Sequence, residues 1–161
     1  MLNLDKYLLL SIRDYQRYAG RPGAFNKLRR RVARARHVFW SVVTSSEIDP
    51  HVKFGDGLML PHPTGVVFHG AVVIGSNCMI MQQVTLGMIG LGEYPTLGNN
   101  VYVGAGAKII GKVQIGDGAR IGAGAVVLID VPAGVTAVGN PARLVQKSKD
   151  DVQDLVQYSI V

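Results

Sequence analysis

Of the four histidines in this 161-residue chain, His62 stands in the setting best suited to proton transfer. An imidazole with an ordinary pKa near ~6.5 can take a proton from an alcohol at neutral pH. Pro61 and Pro63 flank it and restrict the backbone on either side. Glu47, fifteen residues earlier, is a carboxylate that would accept the other ring N–H, set the tautomer and stabilise the imidazolium. His51, His62 and His69 offer a second chemistry, joint ligation of a metal ion. Their spacings of 11 and 7 lack close paired ligands, and no acid or thiol cluster joins them, so no metal is expected. His37 lies in a basic segment and is expected at the surface. Cys78, the only cysteine, excludes an internal disulfide framework and reads as a compact core residue rather than a nucleophile.

The elements that would position His62 and Glu47 follow from a six-residue period. Apolar anchors fall at Ile48, Phe54, Leu60, Phe68, Ile74, Ile80 and Leu86, then at Leu97, Val103, Ile109, Ile115, Ile121 and Val127. Gly commonly follows the anchor, and a small or β-branched residue sits four places after it: Val52, Thr64, Cys78, Val84, Val101, Ala107, Val113, Ala119, Ala125. Six matches neither a helix nor plain strand alternation, so the pattern predicts a solenoid of short strands. Three six-residue faces close one triangular coil, and residues eighteen apart stack at one strand spacing of ~4.8 Å. Glu47 then lies one layer from His62 and half a face away. Two extra residues enter near Val66-Val67, just after His62, and a longer excursion spans Met88 to Thr96. Interruptions cost a solenoid main-chain pairing, so they mark where function is inserted.

Residues 1–46 read as a helical segment, 47–145 as the coil, and 146–161 as a tail or short helix. The first helix covers residues 1–19 with Leu4, Leu8, Ile12 and Tyr15 on one stripe, and Gly20-Arg21-Pro22-Gly23 ends it. The second covers about 24–43, with Phe25, Leu28, Val32, Ala35 and Phe39 at helical spacing and Lys27, Arg29, Arg30, Arg31, Arg34 and Arg36 on another face. Residues 1–46 carry a balance of +8 and the remainder −2, so the coil is not a nucleic-acid surface. The basic helix is either a solvated face or a weak contact to an anionic membrane or phosphorylated substrate. The sequence shows neither a membrane-span-length apolar run nor a secretory-signal layout, and a cytoplasmic location is expected.

Residues 47–145 resemble the serine acetyltransferases and their relatives among the hexapeptide-repeat acyltransferases. The resemblance rests on Met59-Leu60-Pro61-His62-Pro63-Thr64-Gly65, Gln82-Gln83-Val84-Thr85-Leu86-Gly87, Val103-Gly104-Ala105-Gly106-Ala107-Lys108 and Ile121-Gly122-Ala123-Gly124-Ala125-Val126-Val127, with the exit Gly139-Asn140-Pro141-Ala142-Arg143. It implies a mainly β fold, a left-handed parallel β-helix assembled as a homotrimer, with acetyl-CoA as co-substrate lying between neighbouring subunits. By the same resemblance His62 matches the catalytic base and Glu47 the carboxylate paired with it. Gly87 matches the backbone beside the acetyl thioester, Ala105 and Ala123 the contacts to the pantetheine arm, and Arg120 a basic residue near the nucleotide.

The chain departs from that pattern where the family binds serine. An acid precedes the catalytic His in the family, and Pro61 stands there. An Arg-His pair precedes the loop-ending Pro, and Glu93 and Tyr94 stand before Pro95. An Arg-to-Glu change inverts the charge that would grip a carboxylate. The sequence therefore predicts an acetyl-CoA-dependent O-acetyltransferase whose acceptor, near Glu93 and Tyr94, is a neutral sugar hydroxyl of polysaccharide biosynthesis. Three alternatives stay open: a serine O-acetyltransferase with a rebuilt pocket, a metal-dependent hydratase of the carbonic anhydrase kind, and a non-catalytic trimeric scaffold.

Overall fold

The computed structural model describes residues 4–145; the tail expected over 146–161 lies outside the described residues. Two helices come first, α1 (Leu4–Tyr18) and α2 (Ala24–Thr44). Gly20 and Gly23 between them take φ of 73° and 101°, a region that costs a side-chain-bearing residue but not glycine. α2 stops at Ser45, left-handed at φ 52°, and Ser46 N–H donates to Ser41 O at 3.0 Å.

From Glu47 onward the chain winds through short strands that stack in three parallel sheets. One sheet stacks β1 (Glu47–Ile48), β3 (Val67–Phe68), β6 (Thr85–Gly87), β9 (Lys108–Ile110) and β12 (Val126–Val127). The second holds β2 (Lys53–Phe54), β4 (Val73–Ile74), β7 (Thr96–Leu97) and β10 (Gln114–Ile115). The third holds β5 (Met79–Ile80), β8 (Tyr102–Val103), β11 (Arg120–Ile121), β13 (Thr136–Val138) and, antiparallel at its edge, β14 (Arg143–Val145). This is a left-handed parallel β-helix of triangular section. The coil runs further than the hexad pattern, because Val131 bridges Ile115 and β13 stacks on β11.

The anchors point inward and pack in ladders. Ile48, Phe68, Leu86, Ile109 and Val127 are partners in successive layers, and all are buried. Their separations locate the two interruptions. Phe68 to Leu86 is the unperturbed eighteen residues, whereas Ile48 to Phe68 is twenty and Leu86 to Ile109 is twenty-three. The two extra residues also move one core slot. Thr64, expected inside, is exposed, and Val66 fills the position instead at 0% exposure. The Gly after an anchor is forced by close stacking: a Cβ on Gly104 would lie 2.6 Å from the main-chain N of Ala123 in the next layer.

α1 closes the open end of the coil. Leu8, Leu9 and Ile12 join the coil core, and Gln16 donates to Pro50 O at 3.0 Å and Val52 O at 2.7 Å. α2 corrects two expectations. His37 is not on the surface but buried, and its Nε2–H donates to Ile48 O at 2.8 Å. The first layer of a parallel stack has carbonyls with no strand beyond them, and a buried one needs a donor; His37 and Gln16 supply it. The stripe of Phe25, Leu28, Val32 and Phe39 faces out instead of in, each residue more than half exposed. α2 turns Ala33, His37 and Thr44 inward, a smaller face that lets it approach α1 and the coil closely.

Candidate functional site

The loop bearing His62 joins β2 to β3. Its main chain is fixed by Gly65 N–H to Ser45 O at 2.8 Å, Val66 N–H to Pro63 O at 3.2 Å, and Gln83 N–H to Thr64 O at 2.9 Å. Pro63 is buried and His62 is exposed, so the buried proline pins a loop that presents the imidazole outward. The side chain of His62 has no hydrogen-bond partner among the described residues. Glu47 opens β1; its N–H donates to Val66 O at 2.8 Å, and its side chain points outward because Ile48 beside it points in. The stretch Ser45–Glu47 therefore carries the bonds that hold the His62 loop. The carboxylate and imidazole are not joined by a hydrogen bond or ion pair in the single chain. The ion pairs among the described residues are Arg13–Asp56, Arg36–Asp14 and His51–Asp49.

A cavity of about 840 Å³ lies between α2 and the coil. Its coil wall is a register column. Asp49, His69 and Gly87 each follow an inward anchor, and Asp49 N–H donates to Phe68 O at 3.1 Å and His69 N–H to Leu86 O at 3.0 Å. Glu47, Met88 and Pro50 complete that side, while Arg34, Val38, Ser41 and Ser45 form the helical wall. Gly87 differs from the stacking glycines. A Cβ there would meet Ile110 at 3.4 Å, an ordinary contact, and its φ is not in the left-handed region. The chain's own packing does not demand glycine at this place.

His69 is the site residue that sequence reasoning did not place in an acceptor pocket. Its ring lies 4.9 Å from that of Tyr94 at 17°, a stacked plate between β3 and the Met88–Thr96 excursion. Nδ1 accepts from Ala71 N–H at 3.3 Å, so a neutral ring carries its proton on Nε2. The sequence signal was weak: Gly follows seven of the thirteen anchors, and Pro61, Met81, Ile110 and Leu128 break that habit as Asp49 and His69 do. Burial pushes the Asp49 carboxyl up, but hydrogen bonds from the main-chain N–H and ring of His51, each 2.8 Å to Oδ1, and the charges of His51 and His69 more than offset it. The carboxyl is held below the usual carboxylate range and stays ionised. Glu93 is exposed on the excursion, away from any ion pair among the described residues.

The remaining expected contacts lie on the later layers. Ala105 and Ala123 stack at one corner, joined by Gly124 N–H to Ala105 O at 2.8 Å. Ala105 is half-buried and Ala123 exposed. Arg120 is exposed on β11, its guanidinium 4.8 Å above the Tyr102 ring. Cys78 is fully buried, and desolvation raises its thiol pKa, in keeping with a compact core residue. Among the described residues no trio of His, Cys, Asp or Glu is placed to hold a metal ion. His51 is tied to Asp49, His69 to Tyr94, and His62 stands apart on its loop.

Comparison with known proteins matches this architecture. Residues 94–128 fit the bacterial transferase hexapeptide (six repeats) family. A serine acetyltransferase of Synechococcus elongatus is 47% identical over 110 residues, covering 66% of this chain and 45% of the relative, so the chain spans about half of that protein. A serine acetyltransferase structure in complex with CoA superposes with a TM-score of 0.75 at 37% identity, over 88% of this chain and 57% of that one. A shorter serine acetyltransferase, from Helicobacter pylori, is 45% identical over 123 residues, 73% of this chain and 71% of the relative. With most of both chains aligned at that identity, this chain belongs to the serine acetyltransferase branch of the hexapeptide-repeat acyltransferases.

Proposed function

We propose that this protein is an acetyl-CoA-dependent O-acetyltransferase that acylates the hydroxyl of a small acceptor, with L-serine the acceptor to test first. The observation that carries it is Gly87, a glycine its own chain does not require, on a cavity wall that also includes Glu47, whose N–H holds the His62 loop at Val66 O. The CoA complex of the related structure supports acetyl-CoA as the donor. In the proposed reaction His62 takes the proton of the acceptor hydroxyl as the alkoxide attacks the thioester carbonyl. Main-chain N–H groups near Gly87 stabilise the oxyanion, and the tetrahedral adduct expels the CoA thiolate, which recovers the proton from His62. Glu47 orients the ring and stabilises its charged form. Ala105, Ala123 and Arg120 line the path of the cofactor.

The acceptor reading shifts from the sequence expectation. Glu93 and Tyr94 point to a sugar hydroxyl, yet the Synechococcus and Helicobacter relatives are both serine acetyltransferases, and serine transfer fits them better. The homotrimer is part of the proposal. So is a peripheral membrane contact, to which the outward apolar stripe of α2 and its flanking arginines give a physical basis; co-sedimentation with anionic vesicles tests that contact. The deciding assay is thiol release from acetyl-CoA with L-serine, monosaccharides and nucleotide sugars as acceptors. Release that depends on L-serine upholds the reading. Release only with sugars returns the acceptor to a sugar hydroxyl, and none with any hydroxyl removes the transferase.

A further inference from the structure

The departures around Pro95 create a problem for an amino-acid acceptor. Glu93 stands where the family's Arg would take a carboxylate, so a zwitterion must be gripped elsewhere or not at all. The α2–coil cavity offers the missing charges. Arg34 is the one arginine in its wall, and it makes no ion pair among the described residues, whereas Arg36 is tied to Asp14 at 2.9 Å. Arg34, Val38, Ser41 and Ser45 recur at three- and four-residue spacing, so one face of α2 forms that wall. Ser41 Oγ is buried without a hydrogen-bond partner among the described residues, an unspent donor on the same face. Opposite stands Asp49, whose Oδ1 takes both bonds from His51 and leaves Oδ2 unused. Gly70 makes room for it: a Cβ there would lie 2.7 Å from the carboxylate carbon.

We propose that this cavity reads both charged ends of an α-amino acid, with Arg34 and Ser41 taking the carboxylate and Asp49 the ammonium group, so that the side-chain hydroxyl turns toward Gly87. The inference rests on the acyl-transfer reading and supplies the recognition which that reading lacks. A guanidinium and a hydroxyl match the two oxygens of a carboxylate, and a free carboxylate oxygen matches an ammonium. His69, stacked on Tyr94, lines the cavity together with Gly87 and Met88. A neutral polyol offers neither charge, so it forgoes both charge-assisted contacts and is held less well than a zwitterion.

Steady-state kinetics of Arg34→Gln and Asp49→Asn test this, with L-serine, ethanolamine and 3-hydroxypropionate as acceptors. Arg34→Gln should raise the KM for L-serine by about tenfold or more and erase its preference over ethanolamine, with the acetyl-CoA KM unchanged. Arg34→Lys should restore part of the loss. Asp49→Asn should do the same for the preference over 3-hydroxypropionate. If the native enzyme acetylates L-serine and Arg34→Gln does so with the same KM, the cavity assignment falls and the reaction stands. If the native enzyme acetylates nothing, the reaction falls, and L-serine binding by calorimetry decides the cavity alone. Heat lost in Arg34→Gln upholds the cavity; no heat with the native protein overturns it.

Discussion

At the scale of single residues the site is a set of outward side chains on a scaffold that forbids most of them. His62 is free because Pro63 is buried and the loop's N–H and C=O groups are committed to Ser45 and Gln83. His62→Ala removes the proposed base without touching those bonds, so kcat should drop by about 10²–10⁴-fold while acetyl-CoA binding is retained. Stopped-assay kcat beside calorimetric CoA affinity checks it, and full activity in the variant would discard the imidazole as base. His69 makes a different prediction. His69→Ala removes the plate under Tyr94, so the acceptor KM should rise severalfold with a small change in kcat; the reverse split would make His69 the base instead. His62 was legible in the sequence, because its prolines and the adjacent insertion announce it. His69 was not, because its meaning comes from sharing a register column with Asp49 and Gly87, and that column requires both interruptions to be counted correctly.

At the scale of elements the coil was readable almost throughout. Inward anchors at a fixed hexad leave one way to wind, and the places misread are those where the count slipped, Thr64 against Val66, or where the hexad gave out after Val131. α2 was readable as a helix and misread in its orientation. An apolar stripe normally faces the core, yet here the closest approach to α1 and the first layer goes to Ala33, His37 and Thr44. No pattern in the sequence displays an orphan carbonyl at the end of a stack, and that carbonyl is what draws His37 inside. Burial lowers the His37 pKa, the hydrogen bond to Ile48 O and the charge of Asp49 oppose it, and Arg34 adds to the lowering. The folded state thus refuses a proton that the unfolded chain accepts. Stability is fully present above the ordinary value of about 6.5 and declines as pH falls below it, at up to about 1.4 kcal/mol per pH unit. Thermal unfolding from pH 7.5 to 5 should show that decline. His37→Gln, which keeps an N–H for Ile48 O and cannot titrate, should flatten it. Asp49 acts only at lower pH, since its carboxyl is already held down. An equal slope in both proteins would assign the effect to other groups.

At the scale of the whole molecule, apolar surface is left uncovered at the tip of the Met88–Thr96 excursion. The Met88–Thr96 excursion interrupts the coil at the cavity, yet it raises Ile89 to 67% and Leu91 to 97% exposure rather than folding them back. Burying a leucine contributes about 1.5–3 kcal/mol, so this tip would gain by contact with a second copy. In the proposed trimer this tip would pack on the neighbouring subunit, which would bring that subunit up to the cavity holding Gly87, at the foot of the same excursion. Assembly and catalysis are then one event. Leu91→Asp should shift sedimentation from trimer toward monomer without lowering the melting temperature of the coil, since Leu91 touches no core residue. Specific activity in that variant should become concentration-dependent, recovering as protein concentration is raised, whereas the native enzyme holds its activity on dilution. A native protein that sediments as a monomer with undiminished turnover would remove the shared groove, and with it the roles of Ala105, Ala123 and Arg120 as parts of a two-subunit cofactor path.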